Sequence, residues 1–226
     1  AAGILGVAAT VQAQSVAIVG DSTVSNYPPE RPHCGWGQIL SEHAASGVQV
    51  HNLAQSGASS KSFFRTTRWR EALGKEPTFV LIQFGHNDRA KDPNRGTQPE
   101  AEYREYLKRY ITEARTAGAT PILVTPPVPR AFSAKTGKLG HGRLGPYVEV
   151  MKEVGAEENV PVLDLFERTT QWYQSLGPEG AKAYAPLEGD INHYNREGAT
   201  ILAEFVLEEM KEKVPEAAKL FTNPRR

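Results

Sequence analysis

The sequence predicts an α/β fold with a five-stranded parallel sheet. Five short apolar runs recur along the chain, and the stretches between them repeat apolar residues at helical spacing. The run TFVLIQF at 78–84 is nearly continuous in apolar side chains, as a strand covered on both faces should be. Size agrees: 226 residues suffice for a sizeable core and suit one α/β domain, expected over 15–226.

The elements follow in order. SVAIVG at 15–20 is the first expected strand, closed by Gly-Asp-Ser. VQVHNL at 48–53 alternates at period two and is the second. TFVLIQF is the third, TPILVT at 120–125 the fourth and VPVLDL at 160–165 the fifth. Thr97-Gln98-Pro99-Glu100 reads as a capping box with proline at a tolerated early position. Tyr103, Leu107, Tyr110 and Ala114 then mark the buried face of a helix that Gly118 ends. Tyr147, Val150, Met151 and Val154 mark another. A last helix over 197–213 turns Leu202, Phe205, Val206 and Met210 inward. Residues 126–145 are rich in Pro, Gly and basic residues and have no period. They read as a surface insertion near the strand ends.

Composition excludes several classes. The 26 Lys and Arg balance the 26 Asp and Glu, which argues against a general nucleic-acid binder. No run approaches the roughly 18–20 apolar residues of a membrane span. Cys34 is the only cysteine, so an intrachain disulfide and a multi-cysteine zinc site are excluded. It lies near the expected mouth of the site, nothing signals an activated thiolate, and it reads as incidental. Residues 1–13 carry no charge, and Val11-Gln12-Ala13 fits a small-x-Ala cleavage pattern. Residues 1–14 are therefore read as the remnant of a signal peptide, with an apolar first helix or strand as the alternative. A secreted or periplasmic protein is expected, a monomer without membrane insertion.

Open parallel sheets bind ligands beyond the carboxyl ends of their strands. The residues there are Gly20-Asp21-Ser22-Thr23-Val24, Asn52-Leu53-Ala54-Gln55-Ser56-Gly57 and Gly85-His86-Asn87-Asp88. Asp190-Ile191-Asn192-His193 precedes the last helix. A serine hydroxyl needs an adjacent base to become a nucleophile, and imidazole is the side chain suited to it near neutral pH. Asp190 stands three residues before His193, close enough to reach Nδ1 and leave Nε2 for the Ser22 proton. The backbone N–H groups of Ser22 and Gly57 and the amide of Asn87 are the candidate oxyanion donors.

These blocks resemble the SGNH (GDSL-type) hydrolases, through Ser22, Gly57, Asn87 and His193 with Asp190 as third triad member. More narrowly, Gly20-Asp21-Ser22-Thr23-Val24, Gly35-Trp36-Gly37-Gln38, Gln83-Phe84-Gly85-His86-Asn87-Asp88 and Asp190-x-x-His193 resemble the rhamnogalacturonan acetylesterase group. The resemblance spans about residues 15–210. It implies a flavodoxin-like three-layer α/β/α sandwich, and removal of O-acetyl groups from plant cell-wall polysaccharide without a metal or other cofactor. Gly-Asp-Ser-Thr in place of Gly-Asp-Ser-Leu favours a carbohydrate over a lipid ester.

Plainer readings stand beside these. Ser22 also suits a helix cap, Gly57 and Asn87 suit ordinary turns, and Asp190 with His193 suits a solvated loop. Asp21 reads as serving its own turn. Trp36 is either a sugar-stacking platform or core, and His86 either lines the pocket or is a structural donor. His141, Arg143 and Lys182 either meet an anionic uronic-acid backbone or are plain surface. Three rival functions remain. Gly-Asp and Gly-His-Asn-Asp superficially resemble metallophosphoesterase ligand blocks, but the second Asp is missing and the Asn/His order is reversed. A non-catalytic carbohydrate-binding protein would keep the fold without turnover. The same triad also suits acetylated xylan or another acyl ester.

Overall fold

The computed structural model of the chain describes residues 14–224. The leader assigned above, apart from Gln14, lies outside the described residues. Among these, five strands make one all-parallel sheet: β1 (Ser15–Gly20), β2 (Gln49–Asn52), β3 (Phe79–Gln83), β4 (Thr120–Val124) and β5 (Val162–Leu163). Their spatial order is β2-β1-β3-β4-β5. The chain thus steps from β1 to one side, then crosses back to the other. The crevice where the order reverses lies between the ends of β1 and β3.

Alternation along β1 shows how the layers form. Val16 and Ile18 face one apolar core and Ala17 and Val19 the other, all wholly buried. The first core is closed by α1 (Trp36–Glu42), α6 (Leu165–Lys182) and α7 (Arg196–Lys213). The second is closed by α2 (Ser60–Phe64), α3 (Thr67–Leu73), α4 (Arg104–Thr116) and α5 (Gly145–Glu157). A short α8 (Pro215–Ala218) packs on α7. Helices therefore cover both faces, the three-layer arrangement expected. Among the described residues no helix is long and apolar enough to cross a membrane.

Several local expectations are corrected. The capping box at Thr97 does not form. The Thr97 hydroxyl donates to Asp88 Oδ1 instead (3.1 Å), and Pro99–Tyr103 makes a π-helical turn before α4 begins. A buried carboxylate outcompetes the helix end for that hydroxyl. No helix follows β1 directly: residues 21–25 form a turn and α1 begins at Trp36, so Ser22 caps nothing. The fifth strand shortens to two residues because Asp164 leaves the ladder and caps α6 through Glu167 N–H (3.2 Å). Helix α6 itself escaped the sequence reading. It breaks at Gly177, where φ is +67° and Pro178 follows. Phe205 is only half-buried, whereas Leu202, Val206 and Met210 are wholly buried.

Candidate active site

Ser22 sits in the turn after β1, at the reversal point of the sheet. The turn is closed by Val24 and Ser25 N–H groups donating to the Asp21 carbonyl (3.2 and 3.1 Å). Asp21 points inward and accepts from Thr23 N–H (2.9 Å) and Thr23 Oγ1 (2.8 Å). Its second oxygen meets no donor among the described residues. Burial pushes this carboxyl up to about 6, against the lowering pull of the Thr23 bonds.

The Gly35-Trp36-Gly37-Gln38 block is the floor beneath this turn. A side chain at Gly35 would lie 2.4 Å from the Ser25 carbonyl, and one at Gly37 2.7 Å from that of Val24, so only glycine admits α1 this close. Trp36 N–H donates to the Thr23 carbonyl (3.0 Å), and its indole N–H to Gln83 Oε1 (2.8 Å). Gln38 Oε1 accepts from Tyr27 N–H (2.9 Å), and the Tyr27 hydroxyl donates to the Ser22 carbonyl (2.8 Å).

His193 approaches from the far end of the chain. Its Nε2 lies 3.0 Å from Ser22 Oγ, and its Nδ1 2.8 Å from Asp190 Oδ2. Asp190 Oδ1 accepts from the N–H groups of Asn192 and His193, both at 2.9 Å. Burial works to raise the Asp190 carboxyl, but those N–H groups and the imidazole outweigh it and hold it below the ordinary value. An ionised Asp190 fixes the proton on Nδ1 and leaves Nε2 to accept from Ser22.

Two backbone donors face no acceptor among the described residues: the N–H of Ser22 and the N–H of Gly57. Gly57 holds φ at +80°, a region costly for other residues, and its turn is tied to β1 by Gln55 N–H on the Gly20 carbonyl (3.0 Å). Asn87 follows β3, and its Nδ2 donates to the Ala58 carbonyl (2.9 Å). That bond fixes the amide and leaves its second hydrogen uncommitted. Beneath it, the buried Asp88 carboxylate accepts from Ser60 N–H (3.2 Å), the Ser60 hydroxyl and Thr97 Oγ1. The three turns carrying Ser22, Gly57 and Asn87 are thus bonded to one another or to a shared helix end.

A family model described as the GDSL-like Lipase/Acylhydrolase family matches residues 18–201, from β1 into α7. The chain belongs to the GDSL-like lipase/acylhydrolase family. Two proteins of Bacillus subtilis (strain 168) are 37% identical to it. One is the rhamnogalacturonan acetylesterase RhgT, aligned over 87% of this chain and 89% of its own. The other is the probable rhamnogalacturonan acetylesterase YesY, over 88% and 94%. The solved structure of Bacillus subtilis YxiM superposes with a TM-score of 0.74 at 28% identity. It covers 88% of this chain, which spans just over half (56%) of that longer protein. The acylhydrolase is a carboxylic ester hydrolase.

Other residues singled out in the acylhydrolase fall differently. Of the two readings of Trp36 the structure takes the core and not the substrate-binding one: it is wholly buried, and both its N–H groups are spent within the protein. His86 is half-buried beside Asn87. Burial, Arg89 and His193 push its imidazole down to about 3, so it stays neutral. His141 is exposed and lies edge-on to Phe166, ring centroids 5.0 Å apart, with no bond to the triad among the described residues. Lys182 pairs with Glu179 (2.7 Å). Cys34 is buried, and burial raises its thiol to about 11, the opposite of activation. The two-metal reading loses its acids, because Asp21 and Asp88 are wholly buried in hydrogen-bond networks. His33, Asp190 and His193 do offer three ligand atoms within 4.8 Å of one another. The Asp190 carboxylate there already accepts three hydrogen bonds from its own loop.

Three contributors escaped the sequence reading. Arg130, from the 126–145 segment, is buried and grips the Asp190–His193 loop. It donates through Nη2 to the Asp190 carbonyl (3.0 Å) and to the His193 carbonyl, and its N–H meets the Ile191 carbonyl (2.8 Å). Tyr173 Oη holds its other arm (3.1 Å), and its guanidinium lies 4.8 Å from the Tyr194 ring centroid. His33 Nε2 stands 3.8 Å from Asp190 Oδ2, its ring stacked on Tyr27 and edge-on to His193. Tyr27 is the third. Arg130 and His33 act across the fold, where no spacing signal marks them, and Tyr27 bonds the Ser22 carbonyl five residues away without a recognisable motif.

Proposed function

We propose that the protein is an acetylesterase that removes O-acetyl groups from plant cell-wall polysaccharide of the rhamnogalacturonan type. The observation that carries this is the unbroken relay from Ser22 Oγ to His193 Nε2 (3.0 Å) and from His193 Nδ1 to Asp190 Oδ2 (2.8 Å). Relatives named as rhamnogalacturonan acetylesterases supply the acyl group and the class of polymer.

In the first half-reaction His193 Nε2 takes the Ser22 proton as Oγ attacks the acetyl carbonyl. Negative charge gathers on the carbonyl oxygen, where the N–H groups of Ser22 and Gly57 and the Asn87 amide receive it. His193 returns the proton to the departing sugar hydroxyl, leaving acetyl-Ser22. Water, deprotonated by His193, then releases acetate and restores the serine. Asp190 stays ionised throughout and steadies the imidazolium. A polymeric substrate fits action outside the cytoplasm.

The test is acetate release from p-nitrophenyl acetate, acetylated pectin and acetylated xylan, for the parent and Ser22→Ala, with and without chelator. Loss of at least about 10³-fold in Ser22→Ala with no chelator effect is expected. Undiminished release from Ser22→Ala would refute the mechanism. Faster turnover of xylan than of pectin would refute the polymer.

A further inference from the structure

Asn87 also lies at the edge of a second feature. With His86 it borders an open cleft of about 510 Å³ whose walls carry Arg89, Arg95 and Arg143 and no carboxylate. Arg95 reaches the Gly57 carbonyl (3.4 Å) and has one acid near it, Asp92 at 3.9 Å. Arg89 and Arg143 have no acidic partner among the described residues. Arg89 donates through Nε to the His86 carbonyl (3.1 Å), and Arg143 through Nη2 to the Arg89 carbonyl (2.9 Å). These bonds anchor the Arg89 guanidinium on His86 and the Arg143 guanidinium on the Arg89 backbone. Burial and the neighbouring Arg143 charge together lower the Arg89 pKa. Two arginines on other faces do meet acids. Arg104 meets Glu100, Glu153 and Glu157, and Arg168 meets Glu208, Glu209 and Glu212. With no carboxylate among the residues lining it, the cleft beside Asn87 carries positive local charge.

We propose that this cleft is a carboxylate subsite, in which Arg143 and Arg89, with Arg95, bind a uronate residue next to the sugar being deacetylated. The proposal rests on the polysaccharide acetylesterase reading and adds the feature the polymer must carry: a free carboxylate, not its ester. A planar guanidinium matches a carboxylate through paired hydrogen bonds, whereas a methyl ester or a neutral pentose offers no charge to it. The cleft opens beside Asn87, so a carboxylate seated there places the next sugar toward Ser22.

Binding is measured directly by calorimetry with trigalacturonate, its methyl ester and xylotriose, none of which carries an acetyl group to hydrolyse. Parent, Arg143→Gln and Arg143→Lys are compared, each first shown by thermal melting to be folded. Trigalacturonate is expected to bind at least tenfold more tightly than the other two, and to weaken as salt rises. Arg143→Gln should cost about tenfold for the free acid only, and Arg143→Lys should recover part of it. Equal binding of acid and ester, indifference to Arg143→Gln, or no binding of trigalacturonate at millimolar concentration overturns the subsite. Acetate release by the parent and Ser22→Ala, run in parallel, judges the esterase reading alone. Serine-dependent release with trigalacturonate binding that ignores Arg143 removes the subsite and keeps the esterase. Arg143-dependent binding with no release from any acetyl ester does the reverse.

Discussion

At the scale of single residues, two side chains matter through what holds them. Asn87 is anchored by one amide hydrogen on the Ala58 carbonyl, which leaves the other for developing negative charge. Asn87→Ala should therefore lower kcat about 10²–10³-fold with little change in melting temperature. A loss under threefold removes Asn87 from the oxyanion site. Arg130 touches no reacting atom but holds both carbonyls that frame the Asp190–His193 loop. As a positioning residue it should act on kcat. Arg130→Met should cost about tenfold or more in kcat at nearly constant KM, because small misplacements of a base are expensive. Arg130→Lys restores a donor without the fork and should recover only part of that loss. Equal falls in kcat and in melting temperature, with no recovery by lysine, would make the residue merely structural.

At the scale of elements, what could be read in the sequence depended on how local its cause was. Strand β1, the face Tyr103-Leu107-Tyr110-Ala114 and the turn residues at the strand ends were legible, because burial on a sheet or helix imposes a period. Ser22, Gly57, Asn87, Asp190 and His193 were picked out for a different reason: each stands in a short block after an expected strand or before the last helix, and those blocks resemble a known family. The Thr97 box failed because its hydroxyl had a stronger customer in Asp88, 9 residues away and unseen by any spacing rule. Trp36 was ambiguous for a related reason, since glycines on either side suit both an exposed platform and a tight contact. The contact wins here, and it carries a prediction. Trp36→Phe removes the indole bond to Gln83 and should destabilise the protein by about 1–3 kcal/mol. KM for acetylated oligosaccharide should stay within about twofold; a raised KM at unchanged melting temperature would return Trp36 to the substrate surface.

At the scale of the whole molecule, the wholly buried acids Asp21 and Asp88 are each lifted to about 6 mainly by burial. Folded, they keep their protons up to that pH; unfolded, they lose them near the ordinary carboxyl value of 3.8. Between about 4 and 6 the native state therefore binds more protons, and their contribution to stability falls as pH rises through that window, then levels. Asp190 acts oppositely, since its lowered carboxyl adds stability above its unfolded value and loses it only in stronger acid. Asp21→Asn removes one falling contribution. Its melting temperature relative to the parent should climb between pH 4.5 and 7, by a few degrees for each kcal/mol recovered. A constant offset would mean that Asp21 titrates like an exposed carboxyl. A last consequence concerns synthesis. Ser22 and His193 stand 171 residues apart, and the loop between α6 and α7 is stitched to the segment just before α1 by Cys34 N–H on the Tyr194 carbonyl (2.8 Å). A chain leaving the ribosome presents its serine early and its imidazole last. A copy that stops before His193 thus lacks its base, and hydrolysis itself reports that the polypeptide has been made through His193 and that this loop has docked.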